Sequence, residues 1–97
     1  MIHWLWKYSG KCFGYRDGKD LWTVSGRHVG KFSGREIYGP DGQYLGETDD
    51  GRLFRRVKPR FHRYPTFTVY SERTAATKQP DLPAKPPPDG YKDFPEV

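Results

Sequence analysis

Cysteine is almost absent from this chain of 97 residues, since Cys12 is the only one. A single thiol excludes an intrachain disulfide and a cysteine-based zinc site. Long apolar runs are missing too, because no segment approaches the roughly 18 apolar residues of a membrane-spanning helix. The first seven residues carry neither a basic region nor a long apolar region, which argues against a signal peptide. We therefore expect a soluble protein of a reducing, cytoplasmic compartment with no membrane span.

Hydrophobic residues are scarce as well, at 34% of the chain, whereas aromatic residues make up 16%. A chain of this length forms one small domain, in which a few large rings must supply most of the buried area. The 11 glycines and nine prolines disfavour helix interiors. This composition predicts a fold built from strands and turns.

The aromatic residues and the prolines lie in different parts of the chain. Residues 1–70 hold 14 of the 16 aromatic residues and 13 Lys or Arg against seven Asp or Glu, a net charge of +6. Residues 71–97 hold six of the nine prolines and carry a net charge of −1. We predict a β-hairpin repeat domain at 1–70 and a flexible Pro-rich tail at 71–97. Alternatively the tail is a docking segment, because Pro83 and Pro86 have the PxxP spacing that aromatic grooves bind.

Aliphatic–aromatic pairs recur every 16 residues along the first domain. In-phase columns of Ser/Asp-Gly and apolar-Gly dipeptides accompany them. The pairs are Leu5-Trp6, Leu21-Trp22, Ile37-Tyr38, Leu53-Phe54 and Val69-Tyr70; the Ser/Asp-Gly column is Ser9-Gly10, Ser25-Gly26 and Asp41-Gly42; the apolar-Gly column is Phe13-Gly14, Val29-Gly30 and Leu45-Gly46. Turn dipeptides also fall about every eight residues, which is the spacing of β-hairpins. The repeat predicts an all-β antiparallel meander of four 16-residue hairpins.

Glycine inside a strand usually marks a bulge or a close backbone approach. Its recurrence once per hairpin at Gly14, Gly30 and Gly46 predicts that neighbouring hairpins crowd together near a common axis. Because small repeats need their neighbours to bury an apolar face, and because Val69-Tyr70 returns in phase, we predict closure with pseudo-four-fold symmetry.

These columns resemble the 4-fold β-flower proteins of bacteria and phages over roughly residues 3–70. The resemblance implies the fold and a bacterial or phage-infected cell, but it implies no catalytic residues. The fourth unit departs from the pattern, since Val57-Lys58 replaces Ser/Asp-Gly and His62 replaces the in-strand glycine.

Basic and aromatic residues interleave in this fourth unit and form the first candidate binding site. Cations neutralise phosphates while rings stack on bases, so the pattern is typical of a contact with an anionic ligand or nucleic acid. The candidate residues are Arg55, Arg56, Lys58, Arg60, His62 and Arg63, next to Arg52. The alternative is a solvated charge cluster, because alternate residues of a strand point to opposite faces.

The aromatic column of the repeat is the second candidate site. Closure would relate its rings by rotation, so they could surround a ligand on the axis. The alternative is that the rings are simply core. The column consists of Trp6, Trp22, Tyr38 and Phe54.

Catalytic and metal-binding arrangements are weakly represented. Cys12 and His28 occupy one column of the repeat as a conceivable nucleophile and base, but no third orienting residue is evident. A site formed by His3, His28 and His62 has no local ligand spacing. We therefore expect a non-enzymatic interaction module without a cofactor, whose partner is a protein or an anionic ligand. The alternative is a structural or assembly protein that oligomerises through its aromatic column.

Overall fold

A computed structural model describes residues 2–58 and 64–97, which form strands, turns and irregular segments. The described residues contain no helix long and apolar enough to cross a membrane. The strands are β1 Ile2–Lys7, β2 Cys12–Asp17, β3 Asp20–Thr23, β4 His28–Ser33, β5 Glu36–Tyr38, β6 Tyr44–Asp49, β7 Arg52–Arg56 and β8 Tyr91–Asp93. The predicted all-β fold is confirmed.

The first seven strands follow one another as antiparallel neighbours and close on themselves. Closure is a short parallel contact in which Trp6 and Lys7 of β1 pair with Arg52 and Leu53 of β7. The Trp6 N–H donates to the Gly51 carbonyl at 2.9 Å in this contact. Strand β8 then pairs with the other end of β7, where Asp93 lies opposite Phe54. The sheet is therefore a closed seven-strand arrangement with one added strand.

The aliphatic members of the repeated pairs form the centre of the core. Each is at most 5% exposed, and the residues are Leu5, Leu21, Ile37 and Leu53. The antiparallel register shifts between the two members of the first three pairs, which places a bulge at the same point of each repeat. Close backbone approach explains two in-strand glycines, since a Cβ at Gly14 or Gly46 would overlap the carbonyl oxygen of Trp22 or Phe54.

The C-terminal segment differs from the flexible tail that the sequence predicts for 71–97. Residues 64–90, here named the strap, run over the body without regular secondary structure, and β8 follows them directly. Phe94 is 2% exposed and belongs to the core cluster, where its ring meets the Phe13 ring edge-on at 5.2 Å between centroids. Residues 91–94 are therefore part of the sheet and the core, because an aromatic side chain gains most when it is buried.

Candidate functional site

The strap is held on the body by two sets of main-chain hydrogen bonds. In each set the donors are nine residues apart and the acceptors are 16 residues apart. In the first set, Tyr64, Arg73 and Leu82 donate to the carbonyls of Gly42, Gly26 and Gly10 at 3.0, 2.8 and 2.8 Å; in the second, Phe67, Ala76 and Lys85 donate to Pro40, Val24 and Tyr8 at 3.0, 2.8 and 2.8 Å. A nine-residue period in the strap is thus matched to the 16-residue period of the body.

Glycine is required at the turns that carry the strap. Gly10, Gly26 and Gly42 are buried and have positive φ, and a Cβ on any of them would overlap a carbonyl oxygen of the strap. A Cβ at Gly18, Gly34 or Gly51, in the alternate set of turns, would meet nothing within 4 Å. The first set of turns therefore forms docking slots for an extended main chain.

The strap also covers the aromatic column. Trp22, Tyr38 and Phe54 are only 1%, 3% and 4% exposed, whereas Trp6 is half-buried. Tyr64 stacks on Tyr38 at 5.1 Å between centroids, Tyr91 meets Phe54 edge-on at 5.0 Å, and the Trp6 indole N–H donates to the Pro80 carbonyl at 2.9 Å. The rings of the predicted column thus lie beneath the strap and β8. A second subunit cannot reach the three buried rings while the strap is in place.

Trp22 has the most specific partner of the four rings. The guanidinium carbon of Arg73 lies 3.8 Å from the Trp22 ring centroid, a cation–π contact. The Arg73 Nη1 donates to Asp17 Oδ2 at 3.0 Å. Hydrogen bonds to the Tyr15 hydroxyl and then to the Asp17 carboxylate raise the pKa of Arg73. Sequence reasoning missed this site, since it saw Arg73 only as part of a tail.

His28 and Cys12 also contact the strap, but with different partners. The Tyr70 N–H donates to His28 Nδ1 at 3.0 Å, and the Tyr70 ring stacks on the imidazole at 4.8 Å. The other imidazole nitrogen, Nε2, lies 2.9 Å from Asp20 Oδ1 but is not aligned as a hydrogen bond. The Cys12 N–H donates to Asp81 Oδ1 at 3.0 Å. Burial raises the pKa of the Cys12 thiol, so it is a poor nucleophile in this position.

Two arginines of the basic cluster are committed to contacts within the fold. Arg52 is buried and donates from its guanidinium to the Lys7 carbonyl at 3.0 Å and to the Pro83 carbonyl at 3.2 Å. The Arg56 Nε donates to Glu47 Oε2 at 2.6 Å. Such charge-assisted bonds hold the side chains in place. Arg52 is thus held inside the fold, whereas Arg56 uses only its Nε for Glu47 and keeps a side chain that is 28% exposed.

Glu47 is the buried carboxylate that Arg56 and Tyr44 both contact. Sequence reasoning did not identify it as part of a site. It is 5% exposed and accepts the Tyr44 hydroxyl at 2.7 Å as well as the Arg56 Nε. Burial alone would raise the pKa of Glu47, but the hydrogen bonds from Arg56 and Tyr44 outweigh it and hold the pKa below its ordinary value. Burial and the Glu36 carboxylate raise the pKa of the nearby Tyr38 to about 12.

The remaining described cations of the cluster face outward. Arg55 is half-buried and lies opposite the exposed Lys92 of β8, while Lys58 is exposed. The Arg55 Nε is buried and has no hydrogen-bond partner within residues 2–58 and 64–97. An open cleft of about 590 Å³ adjoins Lys58 and is also lined by Arg56, Asp89 and Tyr91, whereas Arg55 and Lys92 do not line it. The other predicted members, Arg60, His62 and Arg63, lie outside the described residues.

A larger cleft lies elsewhere on the described part of the chain and has mixed charge. It has a volume of about 820 Å³ and is lined by His3, Trp4, Arg16, Arg35 and Asp49, among others. The Arg35 guanidinium already pairs with Asp49 across it at 3.4 Å. Among the described side chains, no three His, Cys, Asp or Glu residues gather in a metal-binding arrangement.

Comparison with known proteins addresses the family and not the site. Neither the curated proteins nor the solved structures that were compared with the chain include a match. The family model of the 4-fold beta flower protein matches residues 2–94, and this range includes the strap, β8 and Phe94 as well as the repeats. The closed all-β body, the strap that covers it and this match over nearly the whole chain together place the protein in the 4-fold beta flower family.

Proposed function

We propose that this member of the family is a non-enzymatic interaction module that contacts an anionic partner through a basic face. The basic face consists of Arg55, Lys58 and Lys92. The observation that carries the proposal is the register of β7 and β8, which sets Arg55 directly opposite Lys92. Neither side chain takes part in the ion pairs of residues 2–58 and 64–97.

Two like charges directly opposite each other destabilise an antiparallel pair of strands. An anion between them removes this repulsion and gives the unpartnered Arg55 Nε an acceptor. Phosphate fits this position because a guanidinium donates two parallel hydrogen bonds to it, and an ammonium group adds a point charge.

The surroundings of the basic face support the same chemistry. The Arg56–Glu47 ion pair fixes the neighbouring position of β7, so Arg55 is presented from a rigid strand. Tyr91, which precedes Lys92 on β8, points to the opposite face of the strand and lines a cleft next to Lys58, so a strand of nucleic acid that reaches Lys58 meets an aromatic ring there. In the sequence, Arg60 and Arg63 follow closely and extend the charge.

The salt dependence of binding to a single-stranded oligonucleotide tests the proposal. We expect the labelled strand to bind at 50 mM salt, with a log–log slope of about −3 if four to five cations neutralise phosphates. The variants Arg55→Ser and Lys92→Ser each reduce the slope by roughly 0.7. Fluorescence anisotropy across a salt series measures both quantities.

The matched control is Lys19→Ser, which removes an exposed cation from the turn between β2 and β3. It should leave the slope nearly unchanged. Absence of binding at 50 mM salt, or an equal effect of Lys19→Ser and Lys92→Ser, would remove the basic face as the contact surface.

A further inference from the structure

The contacts of Arg73 have the composition of an arginine-recognition site. We propose that Trp22, Tyr15 and Asp17 form a binding site for an arginine in an extended peptide of a partner protein, which the chain's own strap occupies in this structure. The site is separate from the basic face and takes a cation instead of an anion. It therefore goes beyond the proposed function.

Three different kinds of contact select a guanidinium here. The flat face of Trp22 receives the planar group at 3.8 Å from the ring centroid to the guanidinium carbon. The Asp17 carboxylate accepts from Nη1 at 3.0 Å, and the nearby Tyr15 hydroxyl acts with Asp17 to raise the pKa of Arg73 and keep the group charged. A lysine ammonium can meet the charge but can neither stack as a plane nor donate in two fixed directions.

Main-chain carbonyls of the body beside the site bind an extended peptide. The Arg73 N–H donates to the Gly26 carbonyl and the Ala76 N–H to the Val24 carbonyl, both at 2.8 Å. Gly26 leaves room only for a backbone in contact with it. A ligand therefore needs an arginine with a free N–H and, three residues later, another residue with a free N–H, which excludes proline at both positions.

An unpartnered donor in the same site adds an independent observation. Trp22 is 1% exposed, and its indole N–H has no hydrogen-bond partner in the described part of the chain. In the preceding repeat the corresponding indole N–H, that of Trp6, donates to the Pro80 carbonyl. Pro80 lies two residues before Leu82, whose N–H donates to the carbonyl of the turn glycine Gly10. The strap does not make the corresponding bond to Trp22, so this buried donor is left without an acceptor while the strap occupies the site.

The occupying segment is open to solvent on its outer side. The side chain of Arg73 is 41% exposed, and residues 71–75 are all exposed. A tethered segment competes with an added peptide at an effective concentration in the millimolar range. The wild-type chain should therefore bind an added peptide weakly, and removal of the Arg73 side chain should free the Trp22 face and the Asp17 carboxylate and weaken the strap as a competitor.

The test uses the full chain carrying Arg73→Ala and a labelled peptide with the sequence of residues 69–78. We expect fluorescence anisotropy to show binding to this variant at least about tenfold tighter than to wild type, because the tethered strap competes less well once it has lost its guanidinium contacts, although its main chain remains. The same peptide with lysine in place of its arginine should bind about tenfold more weakly.

A second variant and a second ligand keep the outcome decisive. Arg73→Ala with Asp17→Asn should lose most of the gained affinity, and argininamide should raise the melting temperature of Arg73→Ala more than lysinamide does. Binding of arginine and lysine peptides with equal affinity, or of neither, would overturn the proposal. Oligonucleotide binding of Arg73→Ala is a separate readout, since this variant retains the basic face.

Discussion

At the scale of single residues, the glycines of the hairpin turns serve one of two purposes, depending on the turn. Gly18, Gly34 and Gly51 have positive φ and open surroundings, so they only allow the chain to reverse. Gly26 also has positive φ but lies against the main chain of Arg73. The open turns therefore require glycine only for its backbone conformation. The turn at Gly26 requires glycine both for this conformation and because a side chain would have no room.

The variant Gly26→Ala should therefore be more damaging than Gly34→Ala. The control carries only the strain of a left-handed alanine, about 1 to 2 kcal/mol. Gly26→Ala adds an overlap with the Arg73 carbonyl, so the strap must move away, and we expect a loss of at least about 3 kcal/mol. Urea unfolding of both variants measures the difference, and equal midpoints would show that the strap does not rest on this turn.

Glu47 provides the pH-dependent prediction at this scale. Its pKa is lowered in the folded chain, so its contribution to stability is fully present above the ordinary glutamate value and is lost as the pH falls through the lowered folded value. We expect Glu47→Gln to cost about 1 to 2 kcal/mol at pH 7, since it weakens two charge-assisted hydrogen bonds. The cost should shrink toward zero in acid.

Chemical denaturation at a series of pH values measures this change. The control Asp49→Asn removes an exposed charge whose ion pair with Arg35 is open to solvent, so its cost should be near zero throughout. A cost of Glu47→Gln that does not depend on pH would contradict the assignment of the carboxylate as the stabilising group.

At the scale of elements, β8 completes the sheet and also ties the end of the described chain to its beginning. Asp93 accepts the N–H groups of Tyr8 and Ser9 at 2.8 and 3.1 Å, and Phe94 fills the core beside Gly46. Asp93 is the cross-strand partner of Phe54. It occupies the same position in its repeat as Cys12, the partner of Trp6, and His28, the partner of Trp22. A segment of only three residues holds because its neighbours anchor it on both sides.

Removal of the Phe94 ring should consequently unfold much of this arrangement. We expect Phe94→Ala to lower the free energy of unfolding by about 3 to 5 kcal/mol, which is the range for a buried aromatic residue. Lys92→Ala on the same strand is exposed and should change it by less than about 0.5 kcal/mol. Thermal and urea unfolding distinguish the two, and an intact Phe94→Ala protein would place the segment outside the core.

At the scale of the whole molecule, strap and body are expected to unfold together. Three slots, the rings beneath the strap and β8 are all engaged at once, so loss of one contact weakens its neighbours. Cys12 reports on this directly, because it is 3% exposed, is the only thiol and donates its N–H to Asp81 of the strap.

Thiol labelling and tryptophan fluorescence should give the same denaturant midpoint. The buried Cys12 thiol has a raised pKa and should react slowly in the native state. A midpoint for labelling that lies well below the midpoint for fluorescence would show that the strap leaves before the body unfolds. Cys12→Ser supplies the control for unspecific effects of the label.

Local repetition made the body predictable. Hairpins depend on turn residues and on alternation within eight residues, so the 16-residue period is enough to predict the strands and the close approach at Gly14. The sequence analysis expected large rings to supply most of the buried area, whereas the aliphatic members of the repeated pairs form the centre of the core. The basic residues near β7 could be identified from composition, but the partner of each one could not be predicted. Whether Arg56 meets Glu47 or Arg55 meets Lys92 depends on which strands become neighbours.

The sequence by itself determined that this protein is all-β and repetitive, because those properties follow from turns and periodicity within short stretches of chain. Only the tertiary structure decided the parallel closure of β1 on β7, the path of the strap and the use of Phe94 as core. The nine-residue period of the strap has no hydrophobic pattern. What repeats is the position of the backbone N–H groups that donate to the body, and every residue except proline has such a group. Such a period becomes visible only once the carbonyls that accept those bonds are in place.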